Sequence, residues 1–191
     1  TANGFIKKPI AAFNRDKDFE DVAVLFFDCD NDGDTDLFVG AGGNNQPPRN
    51  RYIQHRLYKN DGKGSFVKDS LAFPVNFSNI SVVVPLDYDE DGDIDLFVGG
   101  RSMSFSYGLT PYSYVYENDG HGKFNDVTEK LNVEISKIGM VTGAVWADVT
   151  GDKKNDLIII GEWMPPRIFS FTNHKMAEIK TGLENMNGWW Q

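Results

Sequence analysis

Among 191 residues there is one cysteine, Cys29, and there are three histidines. A single thiol excludes an intrachain disulfide framework and any zinc or iron–sulfur site built from several cysteines. No apolar run approaches the ~18 residues that a membrane helix needs, and the first residues do not read as a secretory signal. No long stretch carries helical periodicity. Gly-x-Ser-x-Gly, Walker-type and His-Glu-x-x-His motifs are all missing. Basic charge is scarce as well: 19 Lys and Arg stand against 28 Asp and Glu, a net charge of −9. That balance argues against a nucleic-acid binder working through its overall charge. What the chain does have is apolar mass, 40% hydrophobic and 13% aromatic residues, enough for a packed core.

The acidity is unevenly spread. Thirteen of the 28 acids are aspartates in three windows, five in 28–36, five in 87–95 and three in 148–156. Subtracting 13 from 28 leaves 15 acids against 19 bases, so the negative charge is local. Carboxylates crowded this closely repel one another, more so where water is partly excluded. The first two runs are punctuated by glycine and followed at once by Leu-Phe-Val. This pattern predicts an ordered loop feeding a buried strand rather than a solvated charge run.

The windows belong to a repeat. Residues 24–40 align without gaps with residues 83–99, and residues 144–161 form a worn third copy. The first aspartates fall at 28, 87 and 148, steps of 59 and 61. Further along each unit, Asn60-Asp61-Gly62-Lys63-Gly64 matches Asn118-Asp119-Gly120-His121-Gly122, a hairpin signal between short aromatic runs. A weaker hairpin surrounds Thr172-Asn173-His174-Lys175. Each unit therefore reads as four short strands, which is the arithmetic of a propeller blade. The expected fold is all-β: four-stranded antiparallel blades over 22–80, 81–138 and 139–187. Residues 1–21 read as the last strand and exit of a preceding blade, and 188–191 as the start of another. The chain would then be part of a longer array, or would pair its outer strands with another molecule.

The loop pattern is D-x-D-x-D-G-x-x-D followed by Leu. Alternate aspartates on a curled loop point inward, and a glycine at the sixth position permits the bend. Oxygen ligands at positions 1, 3, 5 and 9, with a backbone carbonyl at position 7, suit Ca²⁺ better than Mg²⁺, which dehydrates reluctantly. In the first loop these are Asp28, Asp30, Asp32, the carbonyl of Asp34, and Asp36. In the second they are Asp87, Asp89, Asp91, the carbonyl of Asp93, and Asp95. The third would offer Asp148, Thr150, Asp152, the carbonyl of Lys154, and Asp156, but Lys153 replaces its glycine. Two Ca²⁺ sites are expected, with a structural turn as the alternative for the third. An EF-hand is excluded because position 12 is Val39, Val98 or Ile159, with no bidentate Glu and no flanking helices. Dockerin-type modules fail with it, and thrombospondin-type calcium repeats carry cysteine pairs that this chain lacks.

These residues resemble the FG-GAP or VCBS-type repeats, the calcium-loop blades of integrin α-subunit propellers and of many bacterial surface proteins. The resemblance is carried by the two full Asp loops, by Phe38-Val39-Gly40-Ala41 and Phe97-Val98-Gly99-Gly100, and by the Asn-Asp-Gly turns. Gly139-Met140-Val141-Thr142 and Gly161-Glu162-Trp163-Met164-Pro165 are similar to a bacterial subgroup found in large extracellular proteins. The resemblance implies a propeller, loop-bound Ca²⁺ and an extracellular, cell-surface or periplasmic location.

No catalytic constellation stands out. His55, His121 and His174 are far apart and read as surface turn residues, and Cys29 alternates with Tyr88 and Val149 in the repeat, as a packing residue would. Aspartates held ionised by Ca²⁺ lack free protons for acid–base work. The irregular segments 42–52 and 100–112 are rich in Arg, Tyr, Asn and Gly, which suits recognition of a protein or glycan. The expected function is a non-enzymatic adhesion or ligand-binding scaffold, with no nucleic-acid partner and no membrane span. A glycan-binding or glycan-degrading propeller protein is the alternative.

Overall fold

A computed structural model describes residue 4 and residues 6–189. Its strands come in fours. β1 (Asp21–Phe27), β2 (Asp36–Ala41), β3 (Arg56–Asn60) and β4 (Phe66–Asp69) form an antiparallel sheet in sequence order. β5 (Asn79–Leu86), β6 (Asp95–Ser102), β7 (Tyr114–Asn118) and β8 (Phe124–Asp126) form the second in the same way. β9 (Met140–Ala147), β10 (Asp156–Met164), β11 (Arg167–Thr172) and β12 (Lys175–Glu178) form the third. The repeat extends to the register. Phe27 pairs with Asp36, Leu86 with Asp95 and Ala147 with Asp156, so each acidic loop closes its hairpin at the same point. Leu37, Leu96 and Leu157 then face Tyr58, Tyr116 and Phe169 on the third strand.

The sheets pack face to face, and the alternation of side chains along a strand decides what each face meets. In the middle sheet Leu96, Val98 and Tyr116 turn towards Phe27, Phe38 and Leu57 of the first. Phe97 and Val115, one residue out of phase, turn towards Val141, Leu157 and Phe169 of the third. β2 is accordingly buried along its whole length. The glycine after Phe-Val sets the approach of neighbouring sheets. A Cβ on Gly40 would lie 2.1 Å from Ile80 Cδ1, and one on Gly99 would lie 2.6 Å from the Cγ1 of the corresponding residue, Val141. Polar pins cross the seam between sheets two and three: Ser81 Oγ donates to the Val141 carbonyl at 2.6 Å, and Arg101 forms a two-pronged ion pair with buried Glu162 at 2.9 and 2.6 Å.

Four features depart from the sequence-based expectations. The strand expected before residue 14 is not there: residues 6–10 carry none, and α1 (Ala11–Arg15) follows, while Phe5 lies outside the described residues. Pro9 cannot donate to a ladder and Ala11-Ala12 favour helix. Phe13 instead lays its ring on Tyr58 and Phe66, covering the outer face of the first sheet. At the other end β13 (Gly188–Trp189) pairs with β10 at Glu162 and Met164, so it extends the third sheet's own hydrogen bonding. Trp190 and Gln191 lie outside the described residues. Between β8 and β9, α2 (Thr128–Leu131) and a 3-10 turn at Ile135–Lys137 drive Leu131, Ile135 and Ile138 into the core between sheets two and three.

The fourth departure is His55. His121 and His174 are exposed, as expected of turn residues, but His55 is walled in by Phe38, Phe73, Tyr114 and Tyr116, with ring centroids 5.4–6.1 Å away. Neither ring nitrogen has a hydrogen-bond partner. Burial, reinforced by the Arg56 charge, pushes its pKa down to about 3. The folded protein therefore holds a neutral imidazole that the unfolded chain protonates below about pH 6.5. This residue's contribution to stability is complete above that pH and lost on acidification, by up to about 1.4 kcal/mol per pH unit. Urea melts between pH 7.5 and pH 4.5 should show a shallower acid slope for His55→Phe than for wild type. Identical slopes for the two would place the His55 imidazole in water.

Candidate metal centres

Each acidic loop is curled by two left-handed residues. Positions 4 and 6 are Asn31 and Gly33 (φ 59° and 85°) in the first loop, and Glu90 and Gly92 (φ 62° and 93°) in the second. A Cβ on Gly33 or Gly92 would meet open space, so glycine stands there for its backbone freedom rather than for room. Position 5 closes a short turn in every copy: the N–H groups of Asp34, Asp93 and Lys154 donate to Asp32, Asp91 and Asp152, each at 2.9 Å.

The curl draws carboxylates together. Asp28, Asp30 and Asp32 each bring an oxygen within 4.8 Å of the others in the first loop. In the second loop the trio within the same distance is Asp87, Asp89 and Asp95. The position-9 aspartates are buried and face the sheet. Asp36 accepts from the N–H of Cys29 (3.0 Å) and of Asn60 (2.8 Å), and Asp95 accepts from Tyr88 (3.3 Å) and Asn118 (2.8 Å). The position-7 carboxylates lean on the neighbouring hairpin: a Cβ on Gly62 or Gly120 would come within 2.5 Å of Asp34 or Asp93. The decisive detail is what has no partner. Oδ1 of Asp28, Asp30, Asp87 and Asp89 is buried without a hydrogen-bond donor. Burying acceptors this way is costly. Burial, and then the charge of Asp91, raises the Asp89 carboxyl; burial pushes Asp95 up to about 7 against the pull of its two N–H donors. Hard carboxylate oxygens gathered within 4.8 Å of one another, in loops that also bury oxygens without donors, fit a divalent cation.

The third loop is different. Among the described residues, Asp148, Thr150, Asp152, Lys154 and Asp156 form no such cluster. Asp148 uses both oxygens on its own loop, accepting from Gly151 (2.6 Å) and Lys153 (2.9 Å). Asp156 accepts from Val149 and Thr150, and Lys154 reaches across to Glu90 at 2.9 Å. This is a turn held by aspartate–backbone hydrogen bonds. Cys29 lies near Asp30 and Asp36, but burial and the Asp36 carboxylate push its thiol well above the ordinary range, so it packs rather than reacts.

Residues 28–98 and 87–159 match the family model for the FG-GAP-like repeat. The chain belongs to the FG-GAP-like repeat family. Each matched segment begins at the first aspartate of one acidic loop and ends in the strand after the next, so the family pattern spans the loops and the seam between sheets. Among curated proteins, none matches this chain.

In this FG-GAP-like chain the Asn-Asp-Gly turns do more than reverse the strand. Besides its backbone bond to Asp36, Asn60 donates its amide to the Thr35 carbonyl at 3.1 Å. Asn118 goes further: it donates to the carbonyls of Ile94 (3.2 Å) and of Cys29 in the preceding sheet (2.9 Å), and accepts from Gly122. The signal for this support was the repeated asparagine itself, which hairpin formation alone does not require. Asn118 is buried and makes three such bonds, so Asn118→Ala should cost roughly 2–4 kcal/mol and Asn60→Ala roughly 1 kcal/mol. Urea denaturation of the two variants measures the gap. Equal losses would mean that the bridge to Cys29 contributes nothing.

Proposed function

We propose that this FG-GAP-like segment is a non-enzymatic, Ca²⁺-binding piece of a β-propeller that serves outside the cytoplasm as an adhesion or ligand-binding scaffold. The observation that carries the reading is the set of buried, unpartnered oxygens on Asp28, Asp30, Asp87 and Asp89. Ca²⁺ accepts six to eight oxygens in flexible geometry, and the family's loops are rich in them. An ion in each complete loop would cancel the carboxylate repulsion and fix the turn between the first two strands. Extracellular modules often bind Ca²⁺ with Kd roughly 10⁻⁴–10⁻³ M, which suits filling outside cells.

Closure into a propeller is supported by what the outer sheets expose. Val22, Val24 and Phe26 on β1 are 50–62% exposed, and Val145 on β9 is 51% exposed. The middle-sheet counterparts of Val24 and Val145, Val83 and Val84, pack against a neighbouring sheet. Further blades, or another protomer, would cover the outer positions in the same way. The non-enzymatic reading is supported by the enclosed neutral imidazole of His55 and the buried thiol of Cys29.

A thermal melt in millimolar Ca²⁺, in Mg²⁺ and in EDTA, with bound-metal analysis, tests the proposal. Roughly two ions per chain are expected, with a Ca²⁺-specific rise; an ion at 100-fold its Kd stabilises by about 2.7 kcal/mol. Asp87→Ala should lower the midpoint in Ca²⁺ and leave it nearly unchanged in EDTA. A shift of equal size in both solutions, or a chain that takes up no metal, would sink the reading.

A further inference from the structure

The two complete acidic loops share their aspartates but not the residue that leans on them from the third strand. β3 ends on Lys59-Asn60 and β7 on Glu117-Asn118. Tyr58 pairs with Leu37 and Tyr116 with Leu96, so Lys59 and Glu117 hold the same place in their repeats. One is a cation and the other an anion.

In the first repeat the ammonium is seated rather than loose. Lys59 Nζ lies 2.9 Å from Asp30 Oδ2 and donates to the His121 carbonyl at 2.7 Å. The hairpin of sheet two leaves room for it: a Cβ on Gly122 would lie 2.8 Å from Lys59 Cε and 2.9 Å from its Nζ. Asp30 therefore divides its charge. Its Oδ2 meets the ammonium, while Oδ1 is one of the buried oxygens without a donor.

In the second repeat Glu117 turns back to its own loop and accepts from the hydroxyl of Tyr88, the residue between Asp87 and Asp89. Lys130 stands 3.8 Å from that carboxylate and is 68% exposed, a pair of little weight. Lys153 and Lys154 border the second loop from the third. Lys154 is paired with Glu90, however, which lies outside the ligand pattern. Among the described residues no lysine or arginine pairs with Asp87, Asp89, Asp91 or Asp95.

The affinity of an oxygen site for Ca²⁺ follows the charge and rigidity of its ligands. A dication entering the first loop meets an ammonium already holding one of its ligands, and the two cations repel across a few ångströms of partly buried surroundings. At the second loop the same strand position adds negative charge instead. We propose that Lys59 is a built-in counter-ion of the first loop. It makes that loop the weaker Ca²⁺ site and ties it to sheet two when no ion is bound, while the second loop, with Glu117 beside it, fills first. The inference rests on the Ca²⁺-binding reading and adds an order of filling to it.

The test is a Ca²⁺ titration of the full chain, followed by calorimetry and by amide shifts in ¹⁵N spectra. Amides of residues 87–95 should saturate first, and those of residues 28–36 at a Ca²⁺ concentration roughly tenfold higher or more. Lys59→Met removes the charge and keeps most of the stem, and it should tighten the first loop by about tenfold. In EDTA the same variant should melt lower than wild type, and Ca²⁺ should recover the loss. Lys59→Arg keeps the charge and should preserve the wild-type order, whereas Glu117→Gln should weaken the second loop several-fold. The order of filling in wild type is read without any variant. Equal affinities, a first loop that fills before the second, or a Lys59→Met chain whose first loop binds no more tightly would each overturn the proposal and leave the Ca²⁺ reading intact. A chain that takes up no Ca²⁺ would overturn both.

Discussion

Burying a carboxylate is costly unless hydrogen-bond donors surround it, and each repeat meets that constraint once, at Asp36, Asp95 and Asp156. These residues are almost fully enclosed. In the first two repeats the donors come from two places, the start of the acidic loop and the end of the third strand. One side chain thereby ties the β1–β2 or β5–β6 hairpin to the next strand and fixes where the loop begins. The register that pairs Phe27 with Asp36 and Leu86 with Asp95 follows from it. Next to this anchor the first aspartates of each complete loop, Asp28 and Asp30 or Asp87 and Asp89, each bury one oxygen.

Because the anchor holds the end of the third strand, it also positions Asn118, whose amide then spans to the preceding sheet. The seam between sheets one and two is thus set by local chemistry within a repeat, combined with close packing at Gly40 and Ile80. The third repeat has Phe171 in that place and no amide to send across. Its Asp156 takes both donors from its own loop, and Oδ1 is left without a partner. The loop still closes, and the sheet still forms, because hairpin register depends on the backbone ladder as well as on the anchor.

The parts of this arrangement that were legible in the sequence are those encoded by local chemistry. Aspartates at alternate positions followed by Leu-Phe-Val specify a loop and a buried strand whatever surrounds them, so the twelve strands of the three units fell where the spacing put them. What was not legible depends on neighbours distant in the chain. His55 sits in an ordinary polar stretch, and only the convergence of Phe38, Phe73, Tyr114 and Tyr116 buries it. The segment before residue 14 resembles a strand end, yet Ala11–Arg15 forms a helix that packs through Phe13. The two complete loops share a sequence pattern but gather different trios, Asp28-Asp30-Asp32 and Asp87-Asp89-Asp95. The pattern names the ligand candidates; side-chain rotamers and packing decide which of them meet.

The third sheet is tethered to the second by a different physics from that joining the first two. On the acidic-loop side its direct polar link is Lys154 to Glu90, both largely exposed, and a pair of that kind contributes about 0–1 kcal/mol. At the opposite end of the seam Arg101 grips Glu162 with two hydrogen bonds, and Tyr107 donates to the same buried carboxylate. The guanidinium draws the Glu162 carboxyl below its ordinary range. A charge-assisted, two-pronged bond to a buried acid is far stronger than an exposed pair. The apolar layer of Val141, Leu157 and Phe169 lies between the two ends. Sheet three is therefore held by a charged grip at the Arg101 end, by the apolar layer along its middle, and beside the acidic loops by the aromatic contacts of Phe171 with Tyr88 and Trp146 rather than by polar bonds.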